Sequence, residues 1–184
     1  MTATDEILAR RAGLGDGDAF AVLVDRHGPA LLRYARRLLD VPAEAEDCVQ
    51  DVLVDAWKGL PGFRYEASVK TWLFTLLRHR VSQRARRVPA SGSLPHVDVD
   101  EVAERLADLR ADPARSNEGR ALVAALDEAL RLLPSRQRAA WILTEVEQLS
   151  YAETARVLAT SPTAVRGLLE RGRRTLATAL ADWR

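Results

Sequence analysis

The chain has 184 residues, of which 47% are hydrophobic and 29% charged, a composition typical of a globular protein with one domain or two small ones. Its formal net charge is only +1, so any surface for nucleic acid must arise from charges segregated along the chain. The single cysteine excludes an internal disulfide, and no apolar run approaches the roughly eighteen residues of a membrane span. These features predict a cytoplasmic protein with no membrane partner.

The first predicted elements are a short helix over residues 5–12, ended by a glycine cluster, and a longer amphipathic helix from Asp18 to Leu38. Pro29 is expected to kink the second helix, because proline removes a backbone hydrogen bond. His27 is expected to line that kink and not to bind a ligand.

A third helix is predicted from Pro42 and Ala43 until the glycines at 59 and 62 end it. Its helically spaced apolar residues predict a buried stripe of Ala45, Cys48 or Val49, Val52, Leu53, Ala56 and Trp57. The opposite face carries Glu44, Asp47, Gln50, Asp51, Asp55 and Lys58. Such a face is either simply solvated or docks onto a basic or mixed partner surface, and local sequence leaves both open.

A loop over residues 62–67 leads to a fourth helix that Ser68 caps and that runs from Val69 to about Arg87. From Arg64 to Arg87, seven basic residues accompany one acid, Glu66. Aromatic residues lie among these cations at Phe63, Tyr65, Trp72 and Phe74. Rings and guanidiniums together are what single-stranded nucleic acid needs. The alternative is that Trp72 and Phe74 belong to the core.

Residues 88–116 are rich in proline, glycine and serine and then in acids, which predicts a flexible linker with a short helix near Val102–Leu109. The chain is therefore expected to form two small helical domains, 1–87 and 117–184. The acidic linker is either a solvated tether or a segment that shields a basic surface.

The C-terminal domain is predicted to contain four helices. The first spans Glu118 to Leu133, and Ser135 is expected to cap the second. Ser150 and Glu153 form a capping box for the third. Ser161 caps the fourth, leaving only Ala159 and Thr160 between the last two helices.

That tight connection, followed by a helix rich in arginine, predicts a DNA-binding helix-turn-helix. The alternative is an ordinary helical hairpin with a solvated basic face. Since no segment alternates convincingly at period two, we predict an all-α fold class.

Four segments together resemble the extracytoplasmic-function group of bacterial sigma-70-type sigma factors. They are AEDCVQDVLVDAW, ASVKTWLFTLLRHR, LPSRQRAAWILTEVEQLSYAETARVL and SPTAVRGLLERGRRTL, and the likeness runs from about Asp18 to Leu176 except for the linker. The resemblance implies a promoter-specificity subunit that binds core RNA polymerase and promoter DNA and is held inactive by an anti-sigma factor. It implies no enzyme activity, cofactor, metal or small-molecule substrate.

The resemblance also implies a role for individual residues. Region 2, over 1–87, is expected to bind core polymerase through Asp47, Gln50, Asp51 and Asp55. It is expected to melt the −10 element through Arg64, Tyr65, Ser68, Lys70, Trp72, Phe74, Arg78 and His79. Region 4, over 117–184, is expected to read the −35 duplex through Ser161, Thr163, Ala164, Arg166, Gly167, Glu170, Arg171, Arg173 and Arg174.

Two positions depart from the usual pattern of the family. Gly167 and Leu168 stand where a polar pair is frequent, so readout there is expected to use shape or apolar contact. His79 stands where an asparagine is frequent, which leaves the preferred −10 base open. The alternative function is a stand-alone helix-turn-helix regulator of transcription.

Overall fold

The computed structural model describes residues 3–87 and 118–181, and the regular structure within these ranges is helical. The N-terminal half contains α1 (Asp5–Gly13), α2 (Gly17–Leu38), α3 (Pro42–Gly59) and α4 (Val69–Arg87), with a 3-10 turn at Leu60–Gly62. The C-terminal half contains α5 (Glu118–Arg131), α6 (Ser135–Trp141), α7 (Tyr151–Leu158) and α8 (Pro162–Ala179), with a π-helical turn at Ile142–Val146. The predicted all-α class is confirmed, whereas the linker and its predicted short helix lie outside the described residues.

Side-chain caps begin several helices where the sequence predicts them. Ser68 accepts from the backbone N–H of Thr71 at 3.1 Å, and Ser161 accepts from Ala164 at 3.1 Å. Ser150 and Glu153 make both bonds of the capping box. The expectation for Ser135 is wrong: α6 starts at this residue, and the preceding residue is a proline in an extended conformation that makes no side-chain cap bond.

The N-terminal half packs α1 to α4 around fully buried side chains, the largest of which are Tyr34, Phe74, Leu31, Leu77 and Val52. His27 is also buried, and its Nε2 lies 2.7 Å from an oxygen of Asp5. This bond ties α1 to α2, so His27 serves the fold.

The helix-turn-helix of the C-terminal half is formed by α7 and α8. Ala159 takes the left-handed conformation, with φ at 48°, and the backbone N–H of Thr160 bonds to the carbonyl of Ala155 at 2.9 Å. Val165 and Leu169 face inward from α8 and are fully buried. The turn therefore closes tightly although it contains no glycine.

The two halves pack directly against each other, and one continuous apolar cluster includes buried residues from both. The buried Arg138 of α6 donates to the carbonyls of Arg131 and Leu133 at the end of α5, at 2.7 and 3.3 Å. It also donates to the carbonyl of Arg37 at the end of α2, at 3.1 Å. Arg138 thus satisfies unpaired carbonyls at two helix C-termini, where a cation is favourable. Burial lowers the pKa of this guanidinium below its ordinary value.

Two further findings apply to residues 3–87 and 118–181. Their helices include none with the length and apolar character needed to cross a membrane. They also contain no group of three or more His, Cys, Asp or Glu placed to hold a metal ion.

Candidate nucleic-acid and protein interfaces

The acidic face of α3 lies beside two arginines of α4. The Nε of Arg80 donates to Asp55 at 2.8 Å, and Arg84 lies 3.5 Å from Asp51 and 3.7 Å from Asp47. The hydrogen bond with Asp55 raises the pKa of the Arg80 guanidinium. Asp47 and Asp51 still leave 66% and 49% of their side chains exposed, so a partner can reach them from the solvent side.

Apolar side chains border that acidic face. Val54 is 51% exposed, and Trp57 is 36% exposed with its ring centroid 5.1 Å from that of Phe20. The prediction that Trp57 belongs to the buried stripe is therefore wrong, because the neighbouring helix covers only one side of the ring. The exposed surface of α3 combines carboxylates with apolar groups, a mixture that suits a protein partner.

The loop between α3 and α4 forms a short column of aromatic rings. The ring centroid of Phe63 lies 4.7 Å from that of Trp72 and 4.7 Å from that of Tyr65. Trp72 is half-buried, and its ring approaches Gly59 so closely that a Cβ there would lie 3.1 Å from Cζ2. Arg64 is exposed beside the column. The structure thus brings Arg64, Tyr65 and Trp72 together.

Phe74 does not join this group, and its prediction as a DNA-binding residue is corrected. It is fully buried, with its ring centroid 5.4 Å from that of Tyr34 in an edge-to-face arrangement. The alternative that Phe74 is a core residue is the one that the structure supports. Further along α4, His79 is exposed and Arg78 is half-buried.

Two of the predicted −10 residues face the C-terminal half. Lys70 donates to the backbone carbonyl of Glu147, whose side chain lies 3.8 Å from the same ammonium group. Glu147 is itself 3% exposed and accepts from Arg33 at 3.1 Å. The start of α4 is therefore bound by the backbone carbonyl of a buried glutamate from the other half of the chain, with the carboxylate of that residue close by.

Glu153 makes a second contact across the same boundary. Its Oε1 accepts from Thr71 at 3.0 Å and from Ser68 at 3.4 Å, while its other oxygen serves the capping box. Hydrogen bonds from the backbone and side chain of Ser150, together with those from Thr71 and Ser68, lower the pKa of Glu153. Arg156 adds a bond to the carbonyl of Glu66.

The outer face of α8 is open to solvent. The exposed residues of this face include Ser161, Thr163, Ala164, Arg166, Glu170 and Arg171. Gly167 is half-buried, and an Nη1 atom of Arg171 lies 3.5 Å from the place of its missing Cβ, so this guanidinium lies along the helix. The predicted −35 residues therefore share one accessible helix and its adjoining turn.

Two of the cations predicted to bind the −35 duplex have acidic partners. Arg173 donates to Glu145 at 2.5 Å, which raises the pKa of its guanidinium, and Arg174 lies 3.6 Å from Glu170. By contrast, within the described part of the chain no carboxylate forms a salt bridge with Arg166 or Arg171. These two arginines are the cations of α8 most available to DNA.

Sequence reasoning missed the residues that join the two halves. Arg33 and Arg138 lie in helices and Glu147 directly follows the π-helical turn, and the local pattern around each carries no sign of a distant partner. Arg10 of α1 was also missed, although its guanidinium lies over the ring of Tyr65. Only the packing of the helices reveals these contacts.

Comparison with known families finds two matches, in the same order as the two halves. Residues 23–88 match Sigma-70 region 2, and residues 124–176 match Sigma-70, region 4.

Similar curated proteins include the ECF RNA polymerase sigma factor SigM of Mycobacterium tuberculosis, 34% identical over 95% of this chain and 83% of that protein. They also include the RNA polymerase sigma factor CnrH of Cupriavidus metallidurans, 34% identical over 96% and 94%.

Solved structures give the same likeness. CnrH in complex with the cytosolic domain of CnrY has a TM-score of 0.71 at 28% identity, over 97% of both chains. The sigma factor RpoE in complex with the anti-sigma factor NepR from Bartonella quintana has a TM-score of 0.67 at 25% identity, over 90% of this chain and 98% of that one.

Proposed function

Because the chain belongs to the extracytoplasmic-function group of sigma-70-type RNA polymerase sigma factors, we propose that its two halves read different parts of a promoter. The observation that carries this proposal is the presence of both sigma-70 regions in one chain, each with an accessible face of suitable chemistry. The N-terminal half opens the −10 element and binds core polymerase, and the C-terminal half reads the −35 duplex. The protein performs no chemistry of its own, and it works in the cytoplasm, where polymerase is.

The acidic face of α3 is the proposed docking site for core polymerase. Asp47, Gln50 and Asp51 are exposed on one side of this helix and supply its polar contacts. Asp55 is bonded to Arg80 and so contributes mainly by holding that cation next to the face. Exposed Val54 adds apolar area at the centre, where a protein interface gains most from desolvation.

The loop after α3 and the exposed side of α4 are proposed to hold the opened −10 strand. Tyr65 and Trp72 offer rings for unstacked bases, and Arg64, Arg78 and His79 lie near enough in sequence to follow the backbone. Aromatic stacking combined with cationic contacts to phosphate is the usual way in which proteins bind single strands. Lys70 and Ser68 join this surface once the C-terminal half moves away.

The recognition helix α8 is proposed to enter the major groove with its N-terminal turn. Thr163, Ala164 and Arg166 lie at the exposed start of the helix, where side chains of a helix-turn-helix reach base edges. Arg171 and, after exchange of their acidic partners, Arg173 and Arg174 bind phosphates. Such an exchange costs little because exposed ion pairs contribute only about 0–1 kcal/mol.

The packing of the two halves supports a proposal about the order of events. Glu147 and Glu153 are bonded to Lys70, Thr71 and Ser68, in the positions that nucleic acid would need. The −35 face of α8 remains open in the same arrangement. We therefore expect binding of core polymerase to separate the halves before the −10 element is melted. By analogy with the sigma factor RpoE, which was solved with the anti-sigma factor NepR, an anti-sigma factor is the expected inhibitory partner.

Promoter opening by the reconstituted holoenzyme tests the proposed function. The full chain is mixed with core polymerase, and promoters are selected from a randomised DNA library by transcription. The expected result is specific initiation that requires both components. Asp51→Arg should weaken binding to core, whereas Asp25→Arg, which changes an exposed acid on α2, should not.

A stand-alone regulator would behave differently. It would bind its duplex with full affinity in the absence of polymerase, and core polymerase would bind it no better than it binds an unrelated helical protein. The first finding would contradict the proposed sigma role, and the second would contradict the assignment of Asp47, Gln50 and Asp51 to core binding.

A further inference from the structure

We propose that Arg10 of α1 is a positioning residue for −10 opening, holding Tyr65 as one wall of the site that receives an unpaired base. The proposal rests on the function proposed above for the loop between α3 and α4. It extends that function to the N-terminal helix, which carries none of the residues assigned to promoter DNA so far. Arg10 also places a cation where the phosphate of that base would pass.

The position of α1 relative to the loop is set by close packing. Leu8, Ala9 and Ala12 are buried, and a Cβ on Gly13 would lie 3.2 Å from the carbonyl oxygen of Leu60. The backbone of α1 therefore packs closely against the 3-10 turn that precedes the loop, which leaves the helix little freedom to slide along that turn. The exposed Arg10 is therefore presented to the loop from a rigid support.

Arg10 meets the loop at Tyr65. The guanidinium carbon lies 5.3 Å from the centroid of the tyrosine ring, within the range of an attractive cation–π contact. The other neighbour of this ring is Phe63, at 4.7 Å between centroids. Tyr65 thus contacts both a cation and an aromatic ring, and Phe63 in turn contacts Trp72.

The backbone of Tyr65 adopts an unfavourable conformation that its surroundings must stabilise. Its φ angle is +58°, in the left-handed region that a bulky residue rarely adopts. Such a conformation persists only where the surroundings enforce it, and it occurs preferentially at functional sites. Contacts with Arg10 and Phe63 stabilise this backbone conformation, because both contacts are lost if the tyrosine ring swings away.

The charge of Arg10 is not neutralised by its neighbours. No carboxylate in residues 3–87 and 118–181 forms a salt bridge with it, whereas the adjacent Arg11 pairs with Asp16 at 2.6 Å. An arginine that stacks on a ring and retains free N–H donors is suited to a phosphate beside a stacked base. Arg11 gives a matched control, since it lies on the same helix and has no contact with Tyr65.

A double-mutant cycle between Arg10 and Tyr65 tests the coupling. Arg10→Gln, Tyr65→Leu and the double variant of the full chain are each assembled with core polymerase on a selected promoter. A 2-aminopurine in the −10 element reports opening by its fluorescence. Arg10→Gln is expected to lower the opening equilibrium about two- to five-fold, the range of an exposed cation–π contact. The same change in the Tyr65→Leu background should have a smaller effect.

Further variants separate positioning from folding. Arg10→Lys keeps a cation near the ring and should restore part of the loss, and Arg11→Gln should open the promoter like wild type. Thermal unfolding, core binding and −35 duplex binding should be unchanged by Arg10→Gln, because the side chain is exposed and lies on α1, which carries none of the residues proposed for those two contacts.

The outcomes distinguish failure of the proposed role of Arg10 from failure of the proposed function. Two results would overturn the role of Arg10 and leave the proposed function intact. One is a wild-type opening equilibrium in Arg10→Gln. The other is a double variant whose loss of opening equals the product of the two single losses. Absence of opening by wild type with core polymerase would reject the proposed function and this role with it.

Discussion

Replacement of Glu147 by glutamine tests the contact that joins the two halves most directly. The carboxylate is 3% exposed and accepts from Arg33 at 3.1 Å, with the ammonium group of Lys70 at 3.8 Å. Glutamine has nearly the same shape but no charge, so the variant removes the ionic part of the contact and keeps the packing. The bond from Lys70 to the backbone carbonyl of residue 147 is retained.

The energy lost in Glu147→Gln depends on how far the glutamate and its two basic partners are shielded from water. A hydrogen bond to a charged group contributes about 1.5–3 kcal/mol when its partners are shielded. Arg33 and Lys70 keep 50% and 33% of their side chains exposed, so water compensates part of the loss. We therefore expect the joined arrangement to lose about 1–2 kcal/mol, which raises the ratio of separated to joined molecules about 5- to 30-fold.

Energy transfer between two dyes measures that ratio. The dyes are placed at Ala21 of α2 and Ala177 of α8, both exposed, after each is changed to cysteine in a Cys48→Ala background. Glu145→Gln is the control, because its carboxylate pairs with Arg173 inside the C-terminal half. An unchanged ratio in Glu147→Gln would refute the view that this carboxylate holds the halves together.

Three further predictions follow from individual side chains. Phe74→Ala should destabilise the chain by about 3–5 kcal/mol in chemical denaturation, because it empties a fully buried site beside Tyr34; a loss below 1 kcal/mol would contradict the reassignment of Phe74 to the core. Glu153 has a lowered pKa, so its contribution to stability is present above its unfolded value near 4.5 and is lost as the pH falls through its folded pKa. The bonds from Ser150 act within the C-terminal half, whereas those from Thr71 and Ser68 join the halves. Stability in chemical denaturation should therefore fall in acid below that value, with a smaller drop in energy transfer between the same dyes, and Glu153→Gln should weaken both pH dependences. Burial raises the pKa of the Cys48 thiol, so a thiol reagent should modify native protein far more slowly than protein in denaturant; equal rates would show that α3 opens readily.

The arrangement of the two halves gives the free protein an asymmetric surface. The face of α8 that is proposed to read the −35 duplex is open. At the start of α4, Ser68 is bonded to the Glu153 carboxylate and Lys70 to the backbone carbonyl of Glu147, whose carboxylate lies 3.8 Å away. A carboxylate therefore lies at or near each of these positions, and carboxylates resemble phosphates in charge and in accepting hydrogen bonds. Under the proposed order of events, separation of the halves exchanges these acidic neighbours for phosphates, so Lys70 is not left without an anionic partner in the promoter complex.

The sequence alone determined the helices and most of their ends, because the interactions that define them are local. Ser150 and Glu153 are three residues apart, and the cap at Ser161 also reaches only three residues along the chain. The stripe of α3 was predictable for the same reason, apart from Trp57. The order of the motifs was sufficient to identify both sigma regions, since each motif is a contiguous run of residues.

Only the tertiary structure decided which aromatic residues are accessible and which charges are paired across the chain. Around α4 the apolar residues occupy more than one face, so its neighbours determine that Phe74 is buried and Trp72 only half-buried. Arg33 lies in α2 and Glu147 directly after the π-helical turn, 114 positions further along the chain, and the local pattern around each is satisfied by solvent. A long-range pair of this kind depends on how two amphipathic surfaces dock. Helical periodicity shows that each helix has an apolar surface, but it does not show which surface packs against which.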